Sequence, residues 1–278
     1  MDEVVVVIGA GGIGAAIARR QAPGKELLLA DFSEKTLQAA RDELAGLGLR
    51  VTTQTVDVSD RESVRSLADA ASTLGDVVQL VQAAGLSPAM APPEDILRVD
   101  LYGTALVFEE FGRVIAPRAA AIVISSMAGY RQPPLEPAHE QLLATTPADE
   151  LLNLPFLTPE HIPNSVRAYE FSKRANHLRM QGVAVEWREQ GARANSISPG
   201  VIMTPLAQTE LDSARGPAFR ELLDSSPARR AGTVDEVASL AAYLLGPDAA
   251  FITGSDFLMD GGVTALRVVS GSKSAVQG

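Results

Sequence analysis

Apolar residues along the chain fall into two alternating kinds of segment. Short, nearly continuous runs at Val4–Ile8, Glu26–Ala30, Asp76–Val81, Ala119–Ser125 and Ala192–Ser198 have the length and β-branched content of strands buried on both faces. Val51–Val56 alternates as a further strand, and Phe257–Met259 supplies the last. Between them lie longer segments with helical periodicity: Ala15–Arg20, Ser33–Leu47, Glu94–Val114, Tyr169–Gln190 and a helix ending at Leu245. Ser59 with Glu62 and Thr233 with Glu236 have the spacing of capping boxes at two helix starts. Strands alternating with helices predict an α/β fold around a parallel sheet.

One stretch breaks this rhythm. Gln132–Val166 is rich in proline, and Thr146-Pro147 and Thr158-Pro159 each look like an N-cap followed by proline at the first helical position, predicting two short helices inserted in a loop. Its Leu142, Leu143, Leu151, Leu152, Leu154, Phe156 and Leu157 predict a lid over a substrate pocket; the competing expectation is that they pack the insertion onto the body or a second subunit. Leu206–Pro227 is a polar and apolar mixture suited to a flap. The organisation expected is one domain over residues 1–265, carrying the insertion at 132–166, and a small, polar C-terminal tail at 266–278.

Composition narrows the chemistry. The chain has 278 residues, enough for one well-buried α/β domain, and a net charge of −10 with no run of Lys or Arg, which disfavours nucleic acid and anionic membrane as partners. It has no cysteine, so disulfides, a thiolate nucleophile and cysteine-ligated metal are excluded. His139, His161 and His177 lack metal-ligand spacing and are expected to be ordinary surface or packing residues, with no metal bound. Met1 leads straight into the first strand and no apolar run reaches spanning length, so a cytoplasmic protein is expected.

Gly9, Gly11 and Gly14 have the G-x-G-x-x-G spacing at the turn between the first strand and its helix. Gly9 permits the tight turn, Gly11 lets backbone N–H groups approach a pyrophosphate, and Gly14 lets helix and strand pack closely; the phosphates sit on a helix N-terminus. Asp31 ends the second strand 22 residues after Gly9, where a carboxylate accepts hydrogen bonds from ribose hydroxyls and repels a 2′-phosphate, so NAD is favoured over NADP. Asp57 either contacts adenine or favours the helix that follows it. Gln82-Ala83-Ala84-Gly85 is small enough to press against a cofactor, and Ser126 falls just beyond the fifth strand, where open α/β sheets place ligands. Tyr169 and Lys173, four residues apart, share a helix face. A free phenol titrates at about 10, too high for a good base at neutral pH, and a neighbouring ammonium stabilises the phenolate.

Taken together, the N-terminal glycines, Asp31, Asp57-Val58, Ala84-Gly85, Ile124–Gly129, Tyr169-x-x-x-Lys173, Asn195–Gly200, Ile252-Thr253-Gly254 and Asp260-Gly261-Gly262 resemble the short-chain dehydrogenase/reductase family over about Glu3–Ala265. The resemblance implies a Rossmann-type doubly wound parallel sheet of about seven strands, order 3-2-1-4-5-6-7, with helices on both faces. It implies Tyr169 as general acid/base, Ser126 rather than Ser125 as the hydrogen-bonding serine, and Lys173 on the nicotinamide ribose. It places NAD along Gly9, Gly11, Gly12, Ile13 and Gly14, Asp31 and Phe32, Asp57 and Val58, Ala83, Ala84 and Gly85, Tyr169 and Lys173, and Pro199, Gly200, Ile202 and Thr204. The implied activity is hydride transfer between NAD(H) and a small-molecule secondary alcohol or ketone by a homodimer or homotetramer paired through the two long helices. Same-fold and non-enzymatic alternatives are 3-oxoacyl thioester reduction and NAD(H) sensing without catalysis; the acidic composition weighs against the first, and the Tyr169/Lys173 pair against the second.

Three departures stand out. The glycine turn has Ile8 where the family has threonine and is one residue shorter. Gln82-Ala83 replaces two asparagines. Asp100 occupies the place of the family's relay asparagine, and is expected either to act on Lys173 through a bridging water or to hydrogen-bond local backbone at a bend in its helix. The gap from Ser126 to Tyr169 is 43 residues, resembling the insertion of bacterial hydroxysteroid dehydrogenase/carbonyl reductases, which suggests a steroid or another bulky ketone as substrate.

Overall fold

A computed structural model of the chain describes residues 2–204, 207 and 216–271. β1 (Glu3–Ile8), β2 (Glu26–Asp31), β3 (Arg50–Thr55), β4 (Asp76–Gln82), β5 (Ile115–Ile124) and β6 (Arg193–Pro199) join β9 (Asp256–Met259) in one parallel sheet of order β3-β2-β1-β4-β5-β6-β9. The seventh strand of the sheet is ninth in the chain because β7 (Ile202–Met203) and β8 (Gly232–Thr233) pair separately as a two-stranded ribbon.

The continuous apolar runs have the burial that their composition predicts. In β1, Val4 to Ile8 are completely buried, with Val4, Val6 and Ile8 in one apolar core and Val5 and Val7 in the other. Successive side chains point to opposite faces of a strand, so a run with no polar position requires a core on each side. The second core receives α1 (Gly12–Gln21), α2 (Glu34–Gly46) and the late helix Val234–Leu245; the first receives α3 (Arg61–Leu74), α5 (Thr104–Phe111) and α8 (Ser165–Glu186).

Several local expectations change. The helix after β3 is capped by Asp60, whose carboxylate accepts from the Glu62 N–H at 3.1 Å, and not by Ser59. Ser59 is instead drawn to Asp57, donating to its Oδ1 through both N–H and hydroxyl at 2.8 and 2.7 Å. The Thr233–Glu236 capping box forms as read. The long helix expected over Glu94–Val114 is three pieces: α4 (Pro93–Ile96), a π-helical segment Leu97–Gly103, and α5. Residues 266–270, assigned to a tail, continue the helix Val263–Ser270; the expected flap carries a helix at Gly216–Ser225, while its residues 206 and 208–215 and the tail beyond 271 lie outside the described residues.

The insertion carries α6 (Pro137–Thr145) and α7 (Ala148–Leu151). The first Thr-Pro pair precedes α7, with Pro147 as its N-cap; the second makes a single turn in which the Ile162 N–H reaches Thr158 O at 2.9 Å. The packing favours the competing expectation for several of the insertion's apolar residues. Leu143 and Leu151 are fully buried, and with Leu154, Phe156 and Ile162 they join the core that holds α5 and α8. A Cβ on Gly182 of α8 would lie 2.1 Å from Ala144 O, so α6 sits directly against α8. Leucines at helical spacing serve equally to cover a pocket or extend a core, and here core extension wins.

Candidate active site

The site is assembled where the parallel strands end. β1 passes into α1 through Gly9, which has φ of +98° and whose N–H donates to Ala30 O at 2.7 Å. A Cβ on Gly9 would come within 2.5 Å of Ala84 N, and one on Gly14 within 1.8 Å of Gly9 O. These two glycines are therefore required by packing within the chain. Gly11 differs: nothing lies within 4 Å of where its Cβ would stand, and as N-cap of α1 it supplies no side-chain cap to the first-turn N–H groups. Open space over uncapped amides at a helix N-terminus fits a dinucleotide's pyrophosphate. Ile13 follows in the first turn of α1, and Gly12 faces Thr204, whose Cγ2 would be 3.3 Å from an added Cβ. The Pro199–Thr204 turn thus returns over the glycine turn, anchored by Gly200, whose N–H donates to Met259 O at 2.9 Å.

Asp31 is bound at the end of β2. Its Oδ2 accepts from the Ala10 N–H at 2.7 Å and its Oδ1 from the Ser33 N–H at 2.8 Å. Each oxygen keeps a second acceptor position for a ribose hydroxyl. Phe32 beside it is 77% exposed, an apolar ring lying open at the cofactor side. Val58 is buried behind Asp57, and Ala83, Ala84 and Gly85 follow β4 across the foot of the turn, with the Ala83 N–H on Ile8 O at 2.7 Å.

The chemistry-bearing residues converge from α8, β5 and the π-helical segment. Asp100 is completely buried; its Oδ1 accepts from the Leu86 N–H at 2.7 Å and its Oδ2 lies 3.1 Å from Lys173 Nζ. No well-aligned hydrogen bond reaches Oδ2, so the contact with Lys173 is chiefly an ion pair. The carboxylate and ammonium meet directly where a bridging water was expected, with Asp100 lying in the π-helical segment. The backbone carbonyl freed there is satisfied by Asn176, whose amide nitrogen, turned toward the two carbonyls, donates to Asp100 O at 3.0 Å and Ser172 O at 3.1 Å. Widened helical turns of this kind recur at functional sites.

Burial pushes the Asp100 carboxyl above its ordinary value, with the Lys173 ammonium and the Leu86 N–H opposing. Burial likewise works to lower Lys173, but the Asp100 charge, with Tyr169, outweighs it and holds the lysine above its ordinary value. Discharging one member alone would strand its partner's charge in the interior. Gly85 closes over the pair: a Cβ there would be 3.2 Å from Lys173 Nζ. Lys173 Nζ also stands 5.3 Å from the centre of the partly exposed Tyr169 ring.

The tandem serines separate by burial. Ser125 is buried and its hydroxyl donates to Lys173 O at 2.8 Å, fastening the strand end to α8. Ser126 is partly exposed and caps the turn Met127–Arg131, accepting from the Ala128 N–H at 3.1 Å. That turn lies against α8 at Gly129, where a Cβ would be 2.9 Å from Arg174 N. The serine and the Tyr169–Lys173 turn are thereby held on adjoining surfaces.

His177, expected to be an ordinary surface or packing residue, lies on this same helix face. His177, one turn beyond Lys173, is buried; its Nε2 lies 2.8 Å from Ser198 Oγ, and Asp256 accepts from the Ser196 and Ser198 hydroxyls at 2.6 and 2.8 Å and from Tyr130 OH at 2.7 Å. Burial lowers His177 to about 4, so it is neutral at pH 7. The i, i+4, i+8 spacing of Tyr169, Lys173 and His177 was the available signal.

A model of the short chain dehydrogenase family matches residues 3–138, and one described as enoyl-(acyl carrier protein) reductase matches residues 138–264. The short-chain dehydrogenase/reductase bsc3 of Alternaria brassicicola is 43% identical over 266 residues, 95% of this chain and 96% of the relative. The chain belongs to the short-chain dehydrogenase/reductase family. It is accordingly an oxidoreductase of alcohol and ketone chemistry. Another member, the 3-alpha-hydroxysteroid dehydrogenase/carbonyl reductase of Comamonas testosteroni, is 28% identical over 95% of this chain and 97% of its own. The fold matches a short-chain dehydrogenase/reductase from Mycobacterium ulcerans with a TM-score of 0.75 at 22% identity, covering 95% of this chain and 90% of that one. Among the described residues, no helix is long and apolar enough to cross a membrane.

Proposed function

We propose that this short-chain dehydrogenase/reductase is an NAD(H)-dependent alcohol dehydrogenase or ketoreductase whose acid/base group is Tyr169. The observation that carries the reading is the convergence of the buried Lys173–Asp100 pair on Tyr169, beside a glycine turn whose one open Cβ position lies over the α1 N-terminus. When bound there, the nicotinamide supplies or accepts a hydride at the substrate carbon.

The chain's own groups do the rest. The first-turn N–H groups of α1 and the open space at Gly11 hold the phosphates. Asp31 accepts from the ribose hydroxyls and repels a 2′-phosphate, which selects NAD. Lys173, kept charged by Asp100, donates to the nicotinamide ribose and presents positive charge to the Tyr169 ring. Tyr169 gives its proton to the substrate oxygen in reduction and recovers it in oxidation, while Ser126 hydrogen-bonds the same oxygen and fixes its position. Pro199, Gly200, Ile202 and Thr204 line the nicotinamide end. Asp57, whose Oδ1 is committed to Ser59, contributes to the adenine side through its remaining acceptor capacity.

The steroid suggestion keeps the similarity to the Comamonas relative as its support, while the insertion weakens as an argument, since Leu143, Leu151, Leu154 and Phe156 are spent on the core. Self-association through α5 and α8 is disfavoured on the same ground, and pairing uses another face. The test is a panel of ketones and secondary alcohols, steroids included, followed by nicotinamide absorbance with NAD and NADP in parallel. Turnover with NAD(H) at a kcat/KM at least tenfold above NADP(H) is expected; equal values for the two cofactors remove the selectivity claim.

A further inference from the structure

Two arginines near the site make no direct ion pair among the described residues. Arg131 ends the turn that Ser126 begins and is partly buried, yet it has neither a hydrogen bond nor an ion pair among the described residues. It lies within electrostatic reach of Tyr169, Glu170 and Arg267. Arg267, in the last turn of the helix Val263–Ser270, is likewise partly buried and unpaired.

The described carboxylates nearby bond other groups, although Glu170 also acts on Arg131 at longer range. Glu170 accepts from Arg167 Nη1 at 2.7 Å, and Arg167 in turn reaches Gln132 Oε1 at 3.1 Å. Glu140 is paired with Arg174 at 2.6 Å. Asp256 serves Ser196, Ser198 and Tyr130, and Asp260 accepts from the Gly262 and Thr264 N–H groups at 2.9 and 2.7 Å. Lys173 is neutralised by Asp100. Arg131 and Arg267 are thus two guanidinium groups without a directly bonded carboxylate near Tyr169, in a chain whose net charge is −10.

Partly burying an unpaired guanidinium costs free energy, and a second one beside it adds repulsion; burial already holds Arg131 below its ordinary value. A cost of this kind is recovered when an anion arrives, and the planar guanidinium fork matches a carboxylate with two parallel hydrogen bonds. From this geometry we infer that the substrate is an oxo acid or hydroxy acid, its carboxylate held by Arg131 with Arg267 reinforcing the field, while its carbonyl or hydroxyl oxygen meets Tyr169. The inference rests on the proposed dehydrogenase function and adds to it the chemical class of substrate. Arg131 is a specificity-determining residue in this account and takes no part in proton transfer.

The test compares short 3-, 4- and 5-oxo acids with their methyl esters on the NADH-saturated enzyme, reading kcat/KM, alongside cyclohexanone as a neutral ketone. At least one acid should exceed its ester tenfold or more. Arg131→Gln should bring that pair to within about twofold, mainly through KM, Arg131→Lys should restore part of the preference, and Arg267→Gln should reduce it less than Arg131→Gln. Cyclohexanone turnover should stay within threefold throughout. Thermal unfolding of the NADH complex with and without each acid gives a readout independent of turnover: the acid should stabilise wild type more than Arg131→Gln, and Arg131→Met without ligand should melt no lower than wild type. Esters matching acids in both assays, while neutral ketones are reduced, overturn the inference and leave the dehydrogenase reading standing. A fall in the melting temperature of Arg131→Met without ligand also overturns it, since the arginine is then structural. If no ketone is reduced at all, the functional reading fails and the melting comparison still decides whether Arg131 binds a carboxylate.

Discussion

The glycine turn and the insertion are both conspicuous in the sequence, and the structure treats them differently. At the turn, two glycine positions are closed by backbone only 1.8 and 2.5 Å away and a third is open, so residue type follows from sterics and from a ligand of fixed shape. In the insertion, Leu143 and Leu151 are spent on the core around α5 and α8. Where backbone geometry admits only one residue type, a motif discloses its purpose. Where many apolar residues fill the same volume, the pattern discloses burial without saying against what.

The contrast can be broken most sharply at Gly14. Gly14→Ala puts a methyl group into Gly9 O and should cost at least a hundredfold in NADH affinity, read by fluorescence titration, or prevent folding, read by circular dichroism. Near-normal binding in a folded variant would remove the steric argument. Next in size is Asp100→Asn, which leaves a buried ammonium without its carboxylate. Loss of one partner of such a pair costs about 3–5 kcal/mol, to be measured by urea unfolding, while turnover in the folded variant should fall by less than about tenfold, or ~1.4 kcal/mol of barrier. A loss of several hundredfold would give the carboxylate a chemical role of its own.

Leu151→Ala tests the other side of the comparison. A buried leucine truncated to alanine costs about 2–5 kcal/mol, so the variant should unfold at lower urea with kcat/KM for bulky ketones unchanged. Unchanged stability with a raised KM would restore the lid. The smallest effect is expected at Asp31: Asp31→Ser removes the charge facing a 2′-phosphate and should raise kcat/KM for NADP relative to NAD by about tenfold, ~1.4 kcal/mol. A ratio that does not move would confine Asp31 to its bonds with Ala10 and Ser33.

The same contrast explains what was legible in the sequence. The sheet and its strand order followed from continuous apolar runs and family motifs, with the late edge strand β9 in the seventh place. Ser126 stood out from Ser125 by position within its motif, whereas the burial of Ser125 was not legible there. The π-helical segment at Leu97–Gly103 was hidden, because a one-residue widening leaves the apolar periodicity of the surrounding helix almost unchanged. The direct Asp100–Lys173 contact, made from that segment, was hidden with it. Arg131 was invisible for a different reason: a charged residue in a short turn is ordinarily solvated, and only partial burial without a direct ion pair marks this one.

The central claim is that Tyr169 moves the proton while other residues hold the cofactor. It is tested most directly by measuring NADH affinity and single-turnover reduction of one accepted ketone in wild type and Tyr169→Phe. The account predicts NADH affinity within about threefold of wild type, an energy near or below ~0.7 kcal/mol, and reduction slowed by at least about a thousandfold, ~4 kcal/mol of barrier. Near-wild-type reduction by the Phe variant would contradict it.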